Sequence, residues 1–334
     1  MSRLRLAAAL ALAALALAAC GEKEESTGGG PQEFDLALDF YVNPDHAGIY
    51  QALEAGYFED AGLALRPRVP SDPSAPIKQV AAGQVDLAIS YEPEVMLARD
   101  QGLDVVAVAA LVHGPLTSLI SLPEGGVREP ADLAGKTVVT AGIPYQGVYL
   151  DSILRDAGVD PTEVEQIDVG LNLMQPLIAG RADAMLGGFL NVEGVDLAER
   201  GLDPRVVPVD ELGIPTYDEL VLVADADRLR EDPDEIEAFI AALERGTEAA
   251  AKDPAAATDA LLAADDGLDP ELTRAEVDAT LPLLTAPKGK PFGWMDPAEW
   301  DEFAAFLADQ GQIEVLPDAG ELLTNELLPD ELGG

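Results

Sequence analysis

Aromatic side chains concentrate in a few short segments of this sequence, where they offer flat faces for stacking against a planar solute. A single aromatic residue more often belongs to a hydrophobic core, so the grouping is what suggests a binding role. The aromatic candidates are Phe40, Tyr41, Tyr50, Tyr91, Tyr145, Tyr149 and Phe189.

Polar side chains in the same segments supply hydrogen-bond partners. Glu92 and Glu193 can accept charge-assisted hydrogen bonds from an amino group and a protonated ring nitrogen. The alternative for each is a solvated carboxylate at a helix start, which the helix dipole also favours. For Asn43, the alternative role is to cap a helix. The other polar or close-approach candidates are Asn43, His46, Ser90, Gln146, Gly188 and Asn191.

Several other chemistries lack the necessary residues. The sequence has two histidines and one cysteine, too few for an ordinary nitrogen- and sulfur-ligated metal site, and it has no G-x-S-x-G nucleophile elbow. With 62 acidic residues, carboxylate pairs arise by chance and do not indicate a glycosidase. The net charge of −42 excludes nucleic acid as a partner. We expect no metal and no cofactor.

The spacing of apolar runs places these candidates in loops. Short apolar runs, among them 36–41, 85–90 and 182–186, alternate with helical stretches, which predicts an α/β fold with mostly parallel sheets. In such folds ligands bind beyond the carboxyl ends of the strands. The loops expected to form the site are therefore 43–50, 90–94, 142–149 and 187–193.

Two crossovers divide the predicted fold into two lobes. The turn sequence PEGG at 123–126 leaves the first lobe, and the extended run 217–224 returns to it. We therefore expect one lobe from 34–122 with 225–334, and a second from 123–224. Trp300, Phe303 and Leu307 lie on one face of a helix capped by Asp296, so we expect them in the core.

The N-terminus has the pattern of an export signal. Arg3 and Arg5 precede an apolar run from Leu6 to Ala19, shorter than the roughly 20 residues that a membrane span needs. The run ends in LAAC, which resembles the bacterial lipobox, whose cysteine is acylated. Cys20 is the only cysteine, so no disulfide can form within the chain. We expect a signal peptide at 1–19 and a lipidated Cys20 opening a flexible tether over 20–33.

Four segments resemble the periplasmic binding family that includes pyrimidine-precursor proteins of thiamine salvage and has sulfonate- and nitrate-binding relatives. They are LDFYVNPDHAGIYQALEAGYFEDAGL (38–63), GQVDLAISYEPEVMLAR (83–99), DLAGKTVVTAGIPYQGVYLDSIL (132–154) and GRADAMLGGFLNVEGVDL (180–197). The resemblance implies a two-lobed, type II-like periplasmic-binding fold that closes around its ligand. It also implies a monomeric, extracytoplasmic lipoprotein that delivers an amino- or hydroxymethyl-pyrimidine thiamine precursor to an ABC permease and its ATPase.

The sequence departs from that family in ways that leave alternatives open. Pyrimidine binders often carry tryptophan near the first strand, where this chain has Phe40 and Tyr41. The related fungal pyrimidine synthase has a cysteine-rich segment and uses a lysine and a histidine, whereas this chain has only Cys20, so we do not expect an enzyme. Riboflavin, a sulfonate or nitrate are the alternative ligands, although the loops are poor in the basic residues that favour anions. An extracytoplasmic enzyme and a ligand-presenting sensor are the alternative classes.

Overall fold

Ten β-strands form the framework of the part that the computed structural model describes, residues 30–329. They make two five-stranded sheets, with strand orders β2-β1-β3-β10-β4 and β7-β6-β8-β5-β9. In chain order the strands are β1 (Gln32–Ala37), β2 (Leu63–Arg68), β3 (Leu87–Ser90), β4 (Val105–His113), β5 (Thr117–Ser121), β6 (Thr137–Thr140), β7 (Glu165–Asp168), β8 (Ala184–Phe189), β9 (Arg205–Pro208) and β10 (Asp218–Asp225).

Both sheets follow the same plan. In the first sheet β1, β2 and β3 are parallel, and β10 runs antiparallel to β3 and β4. In the second sheet β6, β7 and β8 are parallel, and β5 runs antiparallel to β8 and β9. Four of the five described strands in each sheet therefore share one direction. The predicted α/β class with mostly parallel sheets is confirmed.

Helices cover the sheets, so the central strands are apolar along nearly their whole length. β4 reads VVAVAALVH and β10 reads DELVLVAD, both almost entirely buried. The helices are α1 (Ala47–Glu54), α2 (Tyr57–Asp60), α3 (Pro76–Ala81), α4 (Glu92–Asp100), α5 (Pro144–Asp156), α6 (Met174–Ile178), α7 (Glu193–Glu199), α8 (Ala226–Glu231), α9 (Pro233–Lys252), α10 (Pro254–Ala264), α11 (Pro270–Thr280), α12 (Pro297–Asp309) and α13 (Ala319–Leu322). Single 3-10 turns lie at Pro44–His46, Pro123–Gly125, Pro130–Leu133, Pro161–Glu163, Val209–Leu212 and Leu281–Leu283.

An aspartate followed by proline starts several of these helices. The Asp296 side chain accepts a hydrogen bond from the backbone N–H of Ala298, with proline in the first turn of α12. Trp300, Phe303 and Leu307 on that helix are fully buried, as the sequence predicts.

The first strand differs from the prediction. We expected it at 36–41 after a tether ending at 33, but β1 begins at Gln32, which pairs with Leu63, and ends at Ala37. The backbone then leaves the sheet, and residues 38–43 form the approach to the turn at Pro44–His46. The residues of that approach are therefore loop residues, not strand residues.

The strand pairing bears on the predicted lobes. The predicted bounds put β5 in the first lobe, but β5 pairs in the second sheet. They put nearly all of β10 in the second lobe, but β10 pairs in the first sheet. The chain therefore passes between the sheets at 114–116 and at 209–217. The signal peptide at 1–19, Cys20 and most of the tether lie outside the described residues. In the described part, no helix combines the length and apolarity required to cross a bilayer.

Candidate ligand-binding site

A narrow, partly enclosed cavity lies where loops of the two sheets face each other. The loops follow β1, β3, β6 and β8, which places the cavity beyond the carboxyl ends of parallel strands in both sheets. Its lining residues are Asp39, Phe40, Asn43, Tyr91, Ala141, Ile143, Tyr145, Gln146, Gly187, Phe189, Val192 and Glu193.

Four aromatic side chains supply most of the apolar wall. Phe40 and Tyr91 come from the first sheet's loops, and Tyr145 and Phe189 from the second sheet's loops. The Tyr91 and Tyr145 rings meet edge to face with centroids 5.5 Å apart. Tyr149 lies behind Tyr145 with a centroid distance of 5.0 Å, outside the cavity lining. This wall suits the faces of a flat ring.

Asp39 is the carboxylate on the first sheet's side, and it is almost fully buried. Its Oδ2 accepts a hydrogen bond from the Tyr91 hydroxyl at 3.0 Å, and its Oδ1 lies 2.9 Å from Nε2 of His46. The backbone N–H of Asn43 donates to Nδ1 of His46 at 3.3 Å. In the neutral ring Nε2 therefore carries the proton and donates it to Asp39.

Glu193 is the carboxylate on the second sheet's side, at the start of α7. Its Oε2 accepts from the backbone N–H of Phe189 at 2.8 Å, and its Oε1 accepts from the Tyr41 hydroxyl at 3.3 Å. Burial raises the pKa of the Glu193 carboxyl, and the nearby carboxylate of Asp196 acts in the same direction. The Tyr41 contact joins a loop of one sheet to a helix that follows the other.

A second polar bridge joins the same two regions. Nδ2 of Asn191 donates to Oδ1 of Asp45 at 2.7 Å and to Oγ1 of Thr280 at 2.8 Å. All three side chains are buried. Burial raises the pKa of the Asp45 carboxyl well above its usual range. The bridge holds the loop after β8 against the turn after β1 and the end of α11.

The two amides of the pocket wall are held differently. Asn43 caps the Pro44–His46 turn, with its Oδ1 accepting from the backbone N–H of Asp45 at 2.8 Å. Gln146, near the start of α5, accepts from the backbone N–H of Ala141 through Oε1 at 2.9 Å. Its amide lies against Gly187, where a Cβ atom would stand 2.3 Å from Nε2, so any other residue there would displace it.

Half of the predicted site residues line the cavity. These seven are Phe40, Asn43, Tyr91, Tyr145, Gln146, Phe189 and Glu193. Three more contact the lining from behind or bridge across it, namely Tyr41, His46 and Asn191.

The structure places the other four predicted residues elsewhere. Tyr50 is half-buried on α1, and burial raises its pKa to about 12. Ser90 donates its hydroxyl to Glu94 at 2.6 Å, and Glu92 accepts from the backbone N–H of Asp218 at 2.7 Å. Gly188 packs against Met185, since a Cβ there would lie 2.9 Å from that residue's terminal methyl group. All four are committed to packing or to hydrogen bonds inside the fold.

Sequence reasoning missed Asp39. The misplaced first strand put this residue inside a strand instead of in the loop that follows it. The available signal was a lone acidic residue closing the apolar run Leu36–Leu38, where a strand interior would be expected to stay apolar. Ala141, Ile143 and Val192 also line the cavity, but nothing in the sequence distinguishes them from core residues.

Wider depressions occur elsewhere on the described residues. The groove beside α9, lined by Glu244, Lys290 and neighbouring residues, is wide and open to solvent. Thr247 is the one buried polar side chain among its described lining residues, so it lacks the set of converging polar groups that fixes a small ligand. In residues 30–329 no three histidine, cysteine, aspartate or glutamate side chains are arranged to hold a metal ion.

The sheets and the cavity between their loops first define the class of fold, that of the periplasmic binding proteins. The alkanesulfonate-binding protein SsuA from Xanthomonas axonopodis pv. citri matches with a TM-score of 0.70, covering 89% of this chain and 99% of its own. The two sequences are 14% identical, so this likeness concerns the fold.

Sequence comparison then gives the family. A family model described as NMT1/THI5 like matches residues 43–257, and the chain belongs to this family, which confirms the resemblance of the four segments. The formylaminopyrimidine-binding protein of Halalkalibacterium halodurans is 35% identical over 323 residues, which are 95% of this chain and 98% of the relative. A 4-amino-5-hydroxymethyl-2-methylpyrimidine phosphate synthase of Legionella pneumophila is 25% identical over 298 residues, 88% of this chain and 92% of the relative.

Proposed function

We propose that this protein is the extracytoplasmic solute-binding component of an ABC importer and binds a small aminopyrimidine, a precursor of thiamine. One observation carries the proposal. The narrow cavity combines aromatic walls with two buried carboxylates, Asp39 and Glu193, and includes no lysine or arginine among its lining residues.

An aminopyrimidine fits this combination chemically. Its ring is flat and can stack between Phe40, Tyr91 and the facing aromatic residues. Its exocyclic amino group donates hydrogen bonds, and a protonated ring nitrogen forms a charge-assisted hydrogen bond with a carboxylate. Glu193 is placed for this role, because a carboxylate has room for about four donors and only two donors from other residues contact it here. The name of the Halalkalibacterium relative supports the same ligand class.

The proposed importer role also involves residues outside the cavity, in the contacts between the sheets and at the N-terminus. In the mechanism we propose, ligand joins the two lobes, stabilises the closed form by its higher affinity for that form, and presents it to the permease. The bridges Tyr41–Glu193 and Asp45–Asn191 join the loops of the two sheets and would stabilise that closed form. Lipidation at Cys20 would hold the protein at the outer face of the membrane.

Anionic ligands are poorly matched to this cavity. A sulfonate or nitrate would meet Asp39 and Glu193 with no lining cation to offset the repulsion. A synthase is the second candidate function, because the Legionella relative carries that name. The two functions separate by their products, since a binding protein returns an added pyrimidine unchanged, whereas a synthase would build the phosphorylated pyrimidine from precursors that must supply both its ring and its phosphate.

Calorimetric titration of the purified protein tests the proposal. Formylaminopyrimidine, 4-amino-5-hydroxymethyl-2-methylpyrimidine, riboflavin, taurine and nitrate form the panel. Saturable one-to-one binding by the pyrimidines, with no heat from taurine or nitrate, is the expected result. A ligand at a hundred times its Kd also stabilises the fold by about 2.7 kcal/mol, which thermal unfolding detects. Binding of riboflavin, taurine or nitrate in place of the pyrimidines would overturn the ligand assignment.

A further inference from the structure

The polar side chains of the cavity wall are nearly all committed to partners within the protein. Both carboxylate oxygens of Asp39 and both of Glu193 accept hydrogen bonds. Both amide atoms of Asn43 are also used, with Nδ2 donating to the carbonyl of Tyr41 at 3.1 Å. Carboxylates can accept further donors, but they cannot donate when ionised.

Gln146 is the exception, and its amide orientation is fixed by its surroundings. The backbone N–H of Ala141 is a donor, so the amide atom 2.9 Å away must be the oxygen. Nε2 therefore points the other way, towards Gly187, which also lines the cavity. Gln146 is 1% exposed, and Nε2 makes no hydrogen bond to a described residue and is not sealed from the cavity.

An uncommitted donor in such a buried position needs a partner. An unpaired buried polar group is costly, which makes it a strong selector for a ligand that pairs with it. The Tyr145 hydroxyl also lacks a partner among the described residues, but it is sealed within the protein and its ring faces the cavity. Nε2 of Gln146 is thus the free donor that the side chains of this wall present to a ligand.

We infer that Gln146 is a specificity-determining residue whose Nε2 donates a hydrogen bond to an uncharged acceptor on the bound pyrimidine. This inference rests on the proposed function. The carboxylates take the ligand's donors, and Gln146 takes its acceptor. If that acceptor lies on the 5-substituent, ligands that carry a cationic group there, such as an aminomethyl-pyrimidine, are selected against.

Two acceptors on the same ligand have the required chemistry, a carbonyl or hydroxyl oxygen of the 5-substituent and a ring nitrogen. The substituent oxygen differs among formylaminopyrimidine, the hydroxymethyl compound and the aminomethyl compound, whereas the ring nitrogen is common to all three. Comparing the three ligands against one variant therefore distinguishes the two sources.

The variants are Gln146→Met, which keeps the length and removes the donor, and Gln146→Glu at pH 8, which replaces the donor by an acceptor. Gln84→Glu changes an exposed glutamine outside the cavity and serves as the charge-matched control. We expect Gln146→Met to weaken formylaminopyrimidine roughly tenfold. If the substituent oxygen is the acceptor, Gln146→Met should lower the affinity for aminomethyl-pyrimidine by less than threefold, and Gln146→Glu should raise it. If the ring nitrogen is the acceptor, all three ligands weaken equally in Gln146→Met.

A Gln146→Met variant that binds formylaminopyrimidine as tightly as the wild type would overturn the inference. So would a Gln146→Glu variant that binds it more tightly than the wild type. If both variants fail to fold, the wild type can still be tested. Its affinity for 4-amino-2,5-dimethylpyrimidine shows whether Gln146 donates a hydrogen bond to the substituent oxygen. That compound lacks the substituent oxygen, and we then expect it to bind roughly tenfold more weakly than formylaminopyrimidine. Equal affinity would overturn donation to the substituent oxygen, and a pyridine analogue that lacks the ring nitrogen yet binds equally well would overturn donation to that atom. Failure of the proposed function looks different, because the wild type would then bind none of the pyrimidines.

Discussion

Two buried glutamates, one in the cavity and one at the passage between the sheets, differ in how many donors surround them. Glu219 lies at the start of β10 and is fully buried. Its carboxylate accepts from the backbone N–H groups of Leu116 and Thr117 at 2.8 and 2.7 Å, and from the hydroxyls of Thr117 and Tyr217, both at 2.9 Å. Glu193 in the cavity has two donors from other residues, one of them at 3.3 Å.

The difference separates a structural carboxylate from a binding one. A carboxylate has about four acceptor positions, and Glu219 receives four donors, three at Oε2 and one at Oε1, which tie together the two segments on which the chain passes between the sheets. Glu193 has the same side chain and similar burial but keeps positions open towards the cavity. Residue type and burial alone would not have distinguished them, whereas the number of donors does.

The largest effect is expected from Glu219→Ala. Loss of the carboxylate leaves the buried N–H groups of Leu116 and Thr117 without partners, so the free energy of unfolding should fall by about 4 kcal/mol. Denaturant titration measures it, and Glu237→Ala on the exposed face of α9 is the control, expected within about 0.5 kcal/mol of the wild type. A similarly small effect at both positions would contradict the structural role of Glu219.

A pH effect follows from the same residue. Burial raises the pKa of Glu219 to about 7 from an ordinary value of 4.5, although its donors act in the opposite direction. The folded protein therefore binds the proton more tightly than the unfolded chain, and this contribution to stability is present below pH 4.5 and lost as the pH rises through about 7. Its size is about 3 kcal/mol. The destabilisation caused by Glu219→Gln should accordingly be larger at pH 5 than at pH 8, as thermal unfolding at the two pH values will show. Equal destabilisation would contradict it.

Glu193→Gln should act on binding and hardly on stability. The amide still accepts from the backbone of Phe189 but loses the charge that pairs with the ligand, so the affinity for formylaminopyrimidine should fall by about 2 kcal/mol, roughly 30-fold. Calorimetry measures the change. Glu199→Gln, exposed on the same helix, is the matched control and should leave the affinity unchanged. An unaltered Kd in Glu193→Gln would show that the charge of Glu193 does not contribute to ligand binding.

The smallest effect is expected from Tyr91→Phe. The variant keeps the ring and removes the hydroxyl that donates to Asp39, so ligand affinity should fall by about 1 kcal/mol, roughly fivefold. Tyr50→Phe removes a hydroxyl outside the cavity and should leave the same titration unchanged. Equal losses in the two variants would indicate that the Asp39 contact has no specific part in binding.

The fold was more predictable from the sequence than the site. Apolar runs predicted the alternation of strands and helices and hence the α/β class, because burial imposes periodicity on a chain. The first strand was misplaced by four residues, and this hid Asp39. The roles of Glu92 and Glu193 were not separable in sequence, since each opens a helix after a strand. Only the packing shows that Glu92 holds the backbone of Asp218 while Glu193 faces the cavity.

A crystal structure of the protein with formylaminopyrimidine tests the central claim most directly. The account predicts the ring between Tyr91 and its facing aromatic residues, with the ligand's amino group within hydrogen-bond distance of the Glu193 carboxylate and Glu219 still holding its four donors. A ligand seated in the open groove beside α9, or one in the cavity making no contact with Glu193, would contradict it.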